Sequence, residues 1–194
     1  MRTMNKKLRL YMTAPCSEVL GPYKRFIVWV QGCKRRCKGC IAKDSWALDG
    51  GELVEVDAIV QQIFRQENIE GITISGGEPF LQQDALCELI SKVRGHKDVG
   101  VIIYTGMKYS EIENTALAHF ADLIIDGEYV EELNDNKSLR GSSNQNVLCL
   151  TERYKNIVPE YYGIQGRKIE LILADGITKM IGIPSKEFEQ MIGE

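Results

Sequence analysis

The sequence lacks the segments that mark membrane and secreted proteins. No apolar run among its 194 residues approaches the roughly 18 that a membrane-spanning helix needs. The N-terminal stretch MRTMNKKLRLYMTAPC contains no convincing signal-peptide core. Internal repeats, low-complexity tracts and linkers are also absent. Because a chain of this length can bury one hydrophobic core, a single domain over residues 1–194 is expected.

A strong excess of charge is missing as well. The net charge of -3 gives no reason to expect nucleic acid or an anionic membrane as a partner. Cys16, Cys87 and Cys149 are scattered along the chain and do not have the spacing of a disulfide framework. Since disulfides are rare in reducing compartments, we expect a cytoplasmic protein, with Cys87 and Cys149 packed as core thiols.

The other three cysteines are close together. Cys33, Cys37 and Cys40 stand at C-x3-C-x2-C spacing, directly after the apolar run FIVWV. Four thiolates would complete a zinc site or fill an iron–sulfur cluster. Three leave one iron of a [4Fe–4S] cluster without a protein ligand, and an open metal position is where a substrate or cosubstrate binds. The spacing alone leaves a zinc or disulfide role in a solvated loop as the alternative.

Basic residues fill the gaps between these cysteines. They are Lys34, Arg35, Arg36 and Lys38. Nearby positive charge lowers the pKa of a thiol and favours the ligating thiolate. The same charges would attract an acidic partner, either an electron donor such as flavodoxin or ferredoxin or an acidic surface of a substrate protein. The alternative is a solvated loop whose charges act only on the thiols.

Apolar runs and helical periodicity alternate along the first two thirds of the chain. The strand-like runs are FIVWV (26–30), ITIS (72–75), VGVIIYTG (99–106) and DLIIDG (122–127). Apolar residues at helical spacing predict three helices, which begin near Val56, Pro79 and Ser110. Leu81 is expected on the apolar face of the second helix, and Ser110 is expected to be the N-cap of the third. This order predicts an α/β fold, with a parallel sheet covered by helices.

Two further segments have strand character. KLRLYMT, near the N-terminus, alternates weakly and is expected to form an edge strand. RKIELILADGITKMIGIP predicts a β-hairpin, because two apolar segments flank Asp175-Gly176, a pair suited to a type I′ turn. We therefore expect a β-hairpin extension at the C-terminal end of the chain.

The residues most informative about function follow the predicted strands. Ligands of such sheets lie beyond the carboxyl ends of the strands. The residues there are Cys33 after the first strand; Gly76, Gly77, Glu78 and Pro79 after the second; Tyr104, Thr105 and Gly106 after the third; and Asp126 and Gly127 after the fourth. The alternatives are that the glycines only make turns and that Glu78 caps the helix begun by Pro79.

The C-x3-C-x2-C motif followed by ISGGEP resembles the radical S-adenosylmethionine superfamily. More closely, the chain resembles the activating proteins of anaerobic ribonucleotide reductase, a branch of the glycyl-radical-enzyme activases. The segments that carry the resemblance are VQGCKRRCKGC, Trp46, ITISGGEPFLQ (72–82), VIIYTG (101–106), ADLIIDGEYVEEL (121–133) and LRGSSNQ (139–145). It covers about residues 10–150, leaving a β extension at about 151–194. The fold it implies is a partial, open (β/α) barrel.

The resemblance implies a radical mechanism. Cys33, Cys37 and Cys40 would hold three irons of a [4Fe–4S] cluster, and S-adenosylmethionine would chelate the fourth. Reductive cleavage would give a 5′-deoxyadenosyl radical that abstracts a hydrogen from a protein or peptide partner. The implied cofactor contacts are Gly76, Gly77, Glu78 and Pro79 at the methionine end, Tyr104, Thr105 and Gly106 at the sugar or carboxylate, and Asp126 at a further position.

Three classes of function stay open from the sequence. The first is an activase that forms a glycyl radical on a large partner enzyme. The second is a radical enzyme that modifies a peptide or small molecule. The third, a cluster carrier or zinc module, is disfavoured because a carrier has no use for GGEP at a strand end. The chain departs from the reductase activases after the third cysteine, where Ile41 and Ala42 replace a His- or Asn-Pro-containing stretch.

Overall fold

Four apolar segments form the parallel centre of a mixed, open sheet of seven strands. The computed structural model describes residues 6–164, 166–174, 177–185, 188 and 191. The strands are β1 (Lys7–Ser17), β2 (Arg25–Val30), β3 (Glu52–Glu55), β4 (Gly71–Gly76), β5 (Gly100–Tyr104), β6 (Leu123–Asp126) and β7 (Asn146–Cys149). Their order across the sheet is β3-β1-β2-β4-β5-β6-β7.

The predicted order of parallel strands is confirmed. Strand β2 pairs in parallel with β4, β4 with β5 and β5 with β6. The prediction of an edge strand at KLRLYMT is wrong, because β1 lies between β2 and β3 and is antiparallel to both. The edge strand β3 has the sequence ELVE, in which Glu52 and Glu55 are exposed. Its four residues are too short and too polar to give a strand pattern in the sequence.

Within the residues that the structure describes, five α-helices with defined bounds connect or flank these strands. They are α1 (Val56–Phe64), α2 (Gln83–Arg94), α3 (Tyr109–Ile112), α4 (Ala116–Phe120) and α5 (Ile157–Ile164). The third predicted helix is two short ones, and Ser110 is not its N-cap. Instead Thr115 caps α4, since its hydroxyl accepts the Ala118 amide. Pro79 begins a 3₁₀ turn before α2, so Leu81 is 46% exposed and does not lie on the apolar face.

The two faces of the sheet are covered by different elements. Helices α1, α2 and α4 pack on one face, against side chains such as Val28 and Ile74. Strands β8 (Ile169–Ala174) and β9 (Ile177–Gly182) form the expected antiparallel hairpin. The hairpin packs on the other face, where Ile181 joins Ile27 and Trp29 in one buried cluster. The predicted turn at Asp175-Gly176 lies outside the described residues. Helix α5 lies on this second face as well, because Val158 packs with Ile102 and Ile125. Within the described residues, helices therefore contribute to both faces, and the hairpin covers part of the second.

A polar network fills the amino ends of the central strands. Arg25 at the start of β2 is 0% exposed. Its guanidinium donates to Glu70 Oε2 at 2.5 Å, to Thr73 Oγ1 at 2.7 Å and to Tyr154 Oη at 2.8 Å. A further hydrogen bond goes to the Gly100 carbonyl at 2.9 Å. Tyr154 donates in turn to Glu70 at 2.7 Å.

No helix within the described residues is long and apolar enough to cross a membrane.

Candidate metal and cofactor site

The three clustered cysteines lie beyond the carboxyl end of β2 and line one cavity. Two backbone hydrogen bonds fold the loop back, from Gly32 N to Ser45 O at 2.7 Å and from Cys33 N to Trp46 O at 3.1 Å. Cys33, Cys37 and Cys40 are all half-buried. The cavity they share has a volume of about 130 Å³. Its other lining residues include Arg35, Trp46, Gly76, Gly77, Glu78, Tyr104, Thr105, Gly106, Gly127, Tyr129 and Gln145. The structure thus brings together the ends of the four parallel strands.

The two glycines after β4 allow that loop to lie against the cysteine loop. Gly77 N donates to Val30 O at 2.7 Å, and Glu78 N donates to Gly32 O at 2.8 Å. A Cβ on Gly77 would collide with the Gly32 carbonyl oxygen. Gly76 has a φ of 99°, in the left-handed region that favours glycine. Close backbone packing therefore requires both glycines, whatever ligand the loop contacts.

Glu78 links the ends of β4 and β5. Its carboxylate is almost fully buried and accepts hydrogen bonds from Thr105 Oγ1 at 2.7 Å and Gly106 N at 3.0 Å. It also accepts the Phe80 amide at 3.2 Å, which is the predicted helix-capping contact. Burial raises the pKa of Glu78 above its ordinary value, against the lowering effect of these hydrogen bonds and of Arg35. The Glu78 side chain thus caps the 3₁₀ turn that begins at Pro79 and also links two segments of the cavity wall.

Asp126 and Pro79 are buried but do not line the cysteine cavity. Asp126 accepts the Tyr109 amide at 2.6 Å and the Asn146 side-chain amide at 2.8 Å. It lines a neighbouring cavity of about 940 Å³, whose wall shares Arg35, Gly106 and Gly127 with the cysteine cavity. A cofactor contact of Asp126 therefore stays a prediction, as does that of Pro79.

An acidic segment after β6 holds the cysteine loop. Lys38 Nζ lies 3.1 Å from Glu131 Oε2 and 3.0 Å from Glu132 Oε1. Gly39, with a φ of 72°, packs so closely that an added Cβ would lie 2.7 Å from Glu131 Oε1. We call residues 128–132 the acidic clamp. The sequence did not predict this contact. The acidic residues of EYVEE are visible in the sequence, but nothing in their spacing shows that they face the basic loop.

The charges in the loop do not act on Cys37 as expected. Burial is the largest effect and raises the pKa of the Cys37 thiol, and the neighbouring Cys40 and Cys33 raise it further. A backbone hydrogen bond from Tyr129 opposes this rise. At Cys37, burial therefore outweighs any lowering of the pKa by the basic residues. Ligation by metal would have to displace its proton.

Gln145 ties the RGSSNQ segment to the same edge. Its side-chain oxygen accepts the amides of Gly141 at 2.8 Å and Ser142 at 3.2 Å. Its Nε2 donates to Gly127 O at 2.7 Å. This segment is part of the sequence resemblance, and the structure shows which residue of it reaches the cavity.

The donor set fits an iron–sulfur cluster better than a single ion. Among the described residues, no three His, Cys, Asp or Glu side chains are placed to share one metal ion. A [4Fe–4S] cluster presents separate irons to separate thiolates, so its cysteines need not converge on one point. Three thiols around a single cavity, with no fourth cysteine lining it, suit such a cluster with one iron left for another ligand.

Comparison with known proteins agrees with this chemistry. Residues 19–148 match the family model of a 4Fe-4S single cluster domain. The chain is 35% identical over 147 residues to the anaerobic ribonucleoside-triphosphate reductase-activating protein of Escherichia coli K12, covering 69% of this chain and 93% of that protein. The protein of that name from Enterobacteria phage T4 is 30% identical over 143 residues, covering 71% and 92%. The solved structure of QueE from Escherichia coli matches with a TM-score of 0.41 and 17% identity, over 53% of each chain.

Proposed function

Because the chain belongs to the family of anaerobic ribonucleoside-triphosphate reductase-activating proteins, we propose that it forms a glycyl radical on a partner reductase of that kind. The chain is a radical S-adenosylmethionine enzyme whose cofactors are a [4Fe–4S] cluster and S-adenosylmethionine. When bound, these supply the one-electron cleavage that gives a hydrogen-abstracting radical. The observation that carries the proposal is that the three cysteines share one cavity with Gly76, Gly77 and Glu78 of the GGEP strand end.

In this proposal the cysteine thiolates are the protein's cluster ligands. Cys33, Cys37 and Cys40 hold three irons, and the acidic clamp keeps their loop in place. The wall formed by Gly76, Gly77 and Glu78, with Pro79 beginning the turn behind it, receives the methionine end of S-adenosylmethionine. Orientation and exclusion of water are the protein's tasks, since the cofactors carry the difficult chemistry.

The remaining cofactor contacts come from the ends of β5 and β6. Tyr104, Thr105 and Gly106 adjoin the cysteines in the cavity and approach the sugar or carboxylate. Asp126 contacts the cofactor from the neighbouring cavity, which shares part of its wall with the cysteine cavity. All of these residues act as parts of one radical S-adenosylmethionine domain in the reducing cytoplasm, a location supported by the six free cysteines.

The electron donor in this proposal is an acidic flavodoxin or ferredoxin that docks at the basic loop. In the described part of the chain, Lys34 and Arg36 are exposed and form no salt bridge. Lys38 is paired with the acidic clamp, and Arg35 lies 3.9 Å from Glu111. The charges available to a donor are therefore Lys34 and Arg36 rather than the whole loop.

The test is anaerobic reconstitution followed by incubation with the purified partner reductase, S-adenosylmethionine and dithionite. We expect about four irons and four sulfides per chain, since this is the composition of the cluster. Electron paramagnetic resonance should then detect a glycyl radical on the reductase. Cleavage of S-adenosylmethionine without that radical would reject the reductase as substrate and favour a peptide or small molecule. Bound zinc without sulfide would reject the radical mechanism itself.

A further inference from the structure

A second groove lies beside the cysteine loop, on the sheet face that the C-terminal hairpin covers. Its volume is about 430 Å³. Strand β9 forms one side, and residues 41–44 form the other. Trp29, which is 8% exposed, and Met12 form an apolar floor from β2 and β1. We call this the β9 groove.

The groove runs along the backbone edge of β9. Thr178, Lys179 and Met180 are consecutive, and all three line it. Successive side chains of a strand point to opposite faces, so a groove that touches three in a row must follow the strand's edge. Among the described residues, β8 is the only strand that pairs with β9. The opposite edge of β9 therefore presents unpaired backbone groups to the groove.

The β9 groove is separated from the cysteine cavity by one short piece of chain. Cys40 lines the cysteine cavity, while Ile41 and Ala42 line the groove. Ile41 is 46% exposed, and Tyr11 at the rim is 37% exposed. A polypeptide lying in the groove would thus run past the third cysteine, over apolar side chains.

The other edge of the hairpin borders a cavity that lies away from the cysteine loop. Residues 168–170 of the β8 side line a cavity of about 710 Å³ together with Glu18 and Glu160. No residue of the cysteine loop lines that cavity. The two edges of one hairpin therefore provide a matched pair, of which only the β9 edge borders the cysteine loop.

We propose that an extended segment of the partner reductase docks in the β9 groove by adding a strand to β9, next to the cysteine loop. The proposal rests on the proposed function, which supplies a protein partner. Strand addition gives affinity through main-chain hydrogen bonds and specificity through side-chain contacts. Strand β9 has six residues and spans about 20 Å, a length that suits a peptide segment. Residues 177–182 lie outside the matched residues 19–148, so this docking edge is a feature of the chain's own extension.

Hydrogen exchange on the cluster-loaded protein tests the location. Adding the purified reductase should slow exchange of the β9 amides, because they gain hydrogen-bond partners. The amides at residues 168–171 serve as the internal control and should not change. Binding of the reductase with no protection of β9 would overturn the docking proposal, and so would absence of binding.

Substitutions test the energetics of the same groove. Met180→Asp places a charge on the groove wall and should weaken reductase binding at least 10-fold. Tyr11→Ala removes an exposed rim contact and should weaken it about threefold, which keeps the test informative if Met180→Asp fails to fold. Leu173→Asp, at a position on β8 that is 78% exposed, is the matched control and should bind like the unsubstituted protein. Iron and sulfide content is measured for every variant.

The docking proposal and the proposed function fail in different ways. If the unsubstituted protein forms a glycyl radical while both groove variants bind normally, the docking proposal is wrong and the function stands. If the unsubstituted, cluster-loaded protein forms no radical on the reductase, the proposed function is wrong, whatever the exchange data show.

Discussion

The two ends of the parallel strands use buried polar groups in opposite ways. At the amino ends, Arg25 is fully buried and donates to Glu70, Thr73 and Tyr154, so that the space is filled. At the carboxyl ends, half-buried thiols and glycines surround a cavity of about 130 Å³. One end therefore contributes stability, and the other keeps room for a ligand.

Glycines occur at both ends but serve different neighbours. A Cβ on Gly71 would collide with the Arg25 guanidinium as well as with the Gly100 carbonyl oxygen, and one on Gly100 would collide with the Tyr154 hydroxyl. These glycines make room for side chains that then fill the space. Gly76 and Gly77 make room only for the backbone of the neighbouring strand end, and the cavity beyond them stays open. Glycine at a strand end thus does not identify a ligand site unless the residue that it accommodates is known.

The largest effect should come from the open end. Cys37→Ala removes one of three proposed cluster ligands, and we expect complete loss of the cluster. Cys87→Ala is the control, because Cys87 packs beside the core helices and does not line the cavity. The measurement is iron and sulfide per chain after anaerobic reconstitution. Retention of the cluster by Cys37→Ala would remove this residue from the ligand set.

At the filled end the effect should be on folding. Arg25→Met removes one of the two guanidinium groups that pair with Glu70, the other being Arg153, together with the donors to Thr73, Tyr154 and Gly100. Because hydrogen bonds to a charged group contribute about 1.5–3 kcal/mol each, the loss of several should cost about 3–5 kcal/mol. The free energy of unfolding is measured in urea. Lys155→Met, which breaks a surface pair with Glu152, should cost at most about 1 kcal/mol. Equal losses for the two variants would contradict the contrast between the ends.

A smaller effect is expected where the two loops touch. Gly77→Ala introduces a methyl group against Gly32 and should cost about 1–3 kcal/mol. It should also weaken the change that S-adenosylmethionine causes in the spectrum of the reduced cluster. Gly95→Ala, whose Cβ would lie 3.4 Å from its nearest neighbour at the end of α2, should have neither effect. If S-adenosylmethionine changes the spectrum of Gly77→Ala as it changes that of the unsubstituted protein, close packing of the two loops is not needed for this ligand to bind.

The smallest effect concerns the surface of the open end. Lys34→Gln with Arg36→Gln should slow cluster reduction by flavodoxin a few-fold at low salt. The difference should vanish toward 1 M salt, where the Debye length is about 3 Å. Lys38→Gln should change the rate less, because Lys38 is already paired with Glu131 and Glu132. Reduction by dithionite is the control. If flavodoxin reduces the double variant and the unsubstituted protein at equal rates at all ionic strengths, docking at this loop is rejected.

The sequence predicted the features that depend on local pattern. Apolar runs and helical spacing gave the four parallel strands and α1, and the strand-end rule placed Cys33, Gly77 and Thr105 around one cavity. Contacts between distant segments could not be read in this way. Lys38 meets Glu132 across 94 positions of sequence, and only the folded sheet brings them together. The N-cap at Ser110 failed because α3 begins one residue earlier, at Tyr109, so that Ser110 lies inside the helix, while Thr115 caps the separate helix α4.

The acidic clamp has a consequence for how the cluster is assembled. Lys38 is paired with Glu131, and Tyr129 contacts Cys37 through its backbone, so contacts within the protein help to hold the loop. These contacts restrict the loop on folding, so part of its conformational entropy is lost before metal uptake. Insertion of the cluster then needs less further ordering than it would in a loop without such contacts. A chain stripped of iron by a chelator should keep its folded loop and accept a new cluster without refolding.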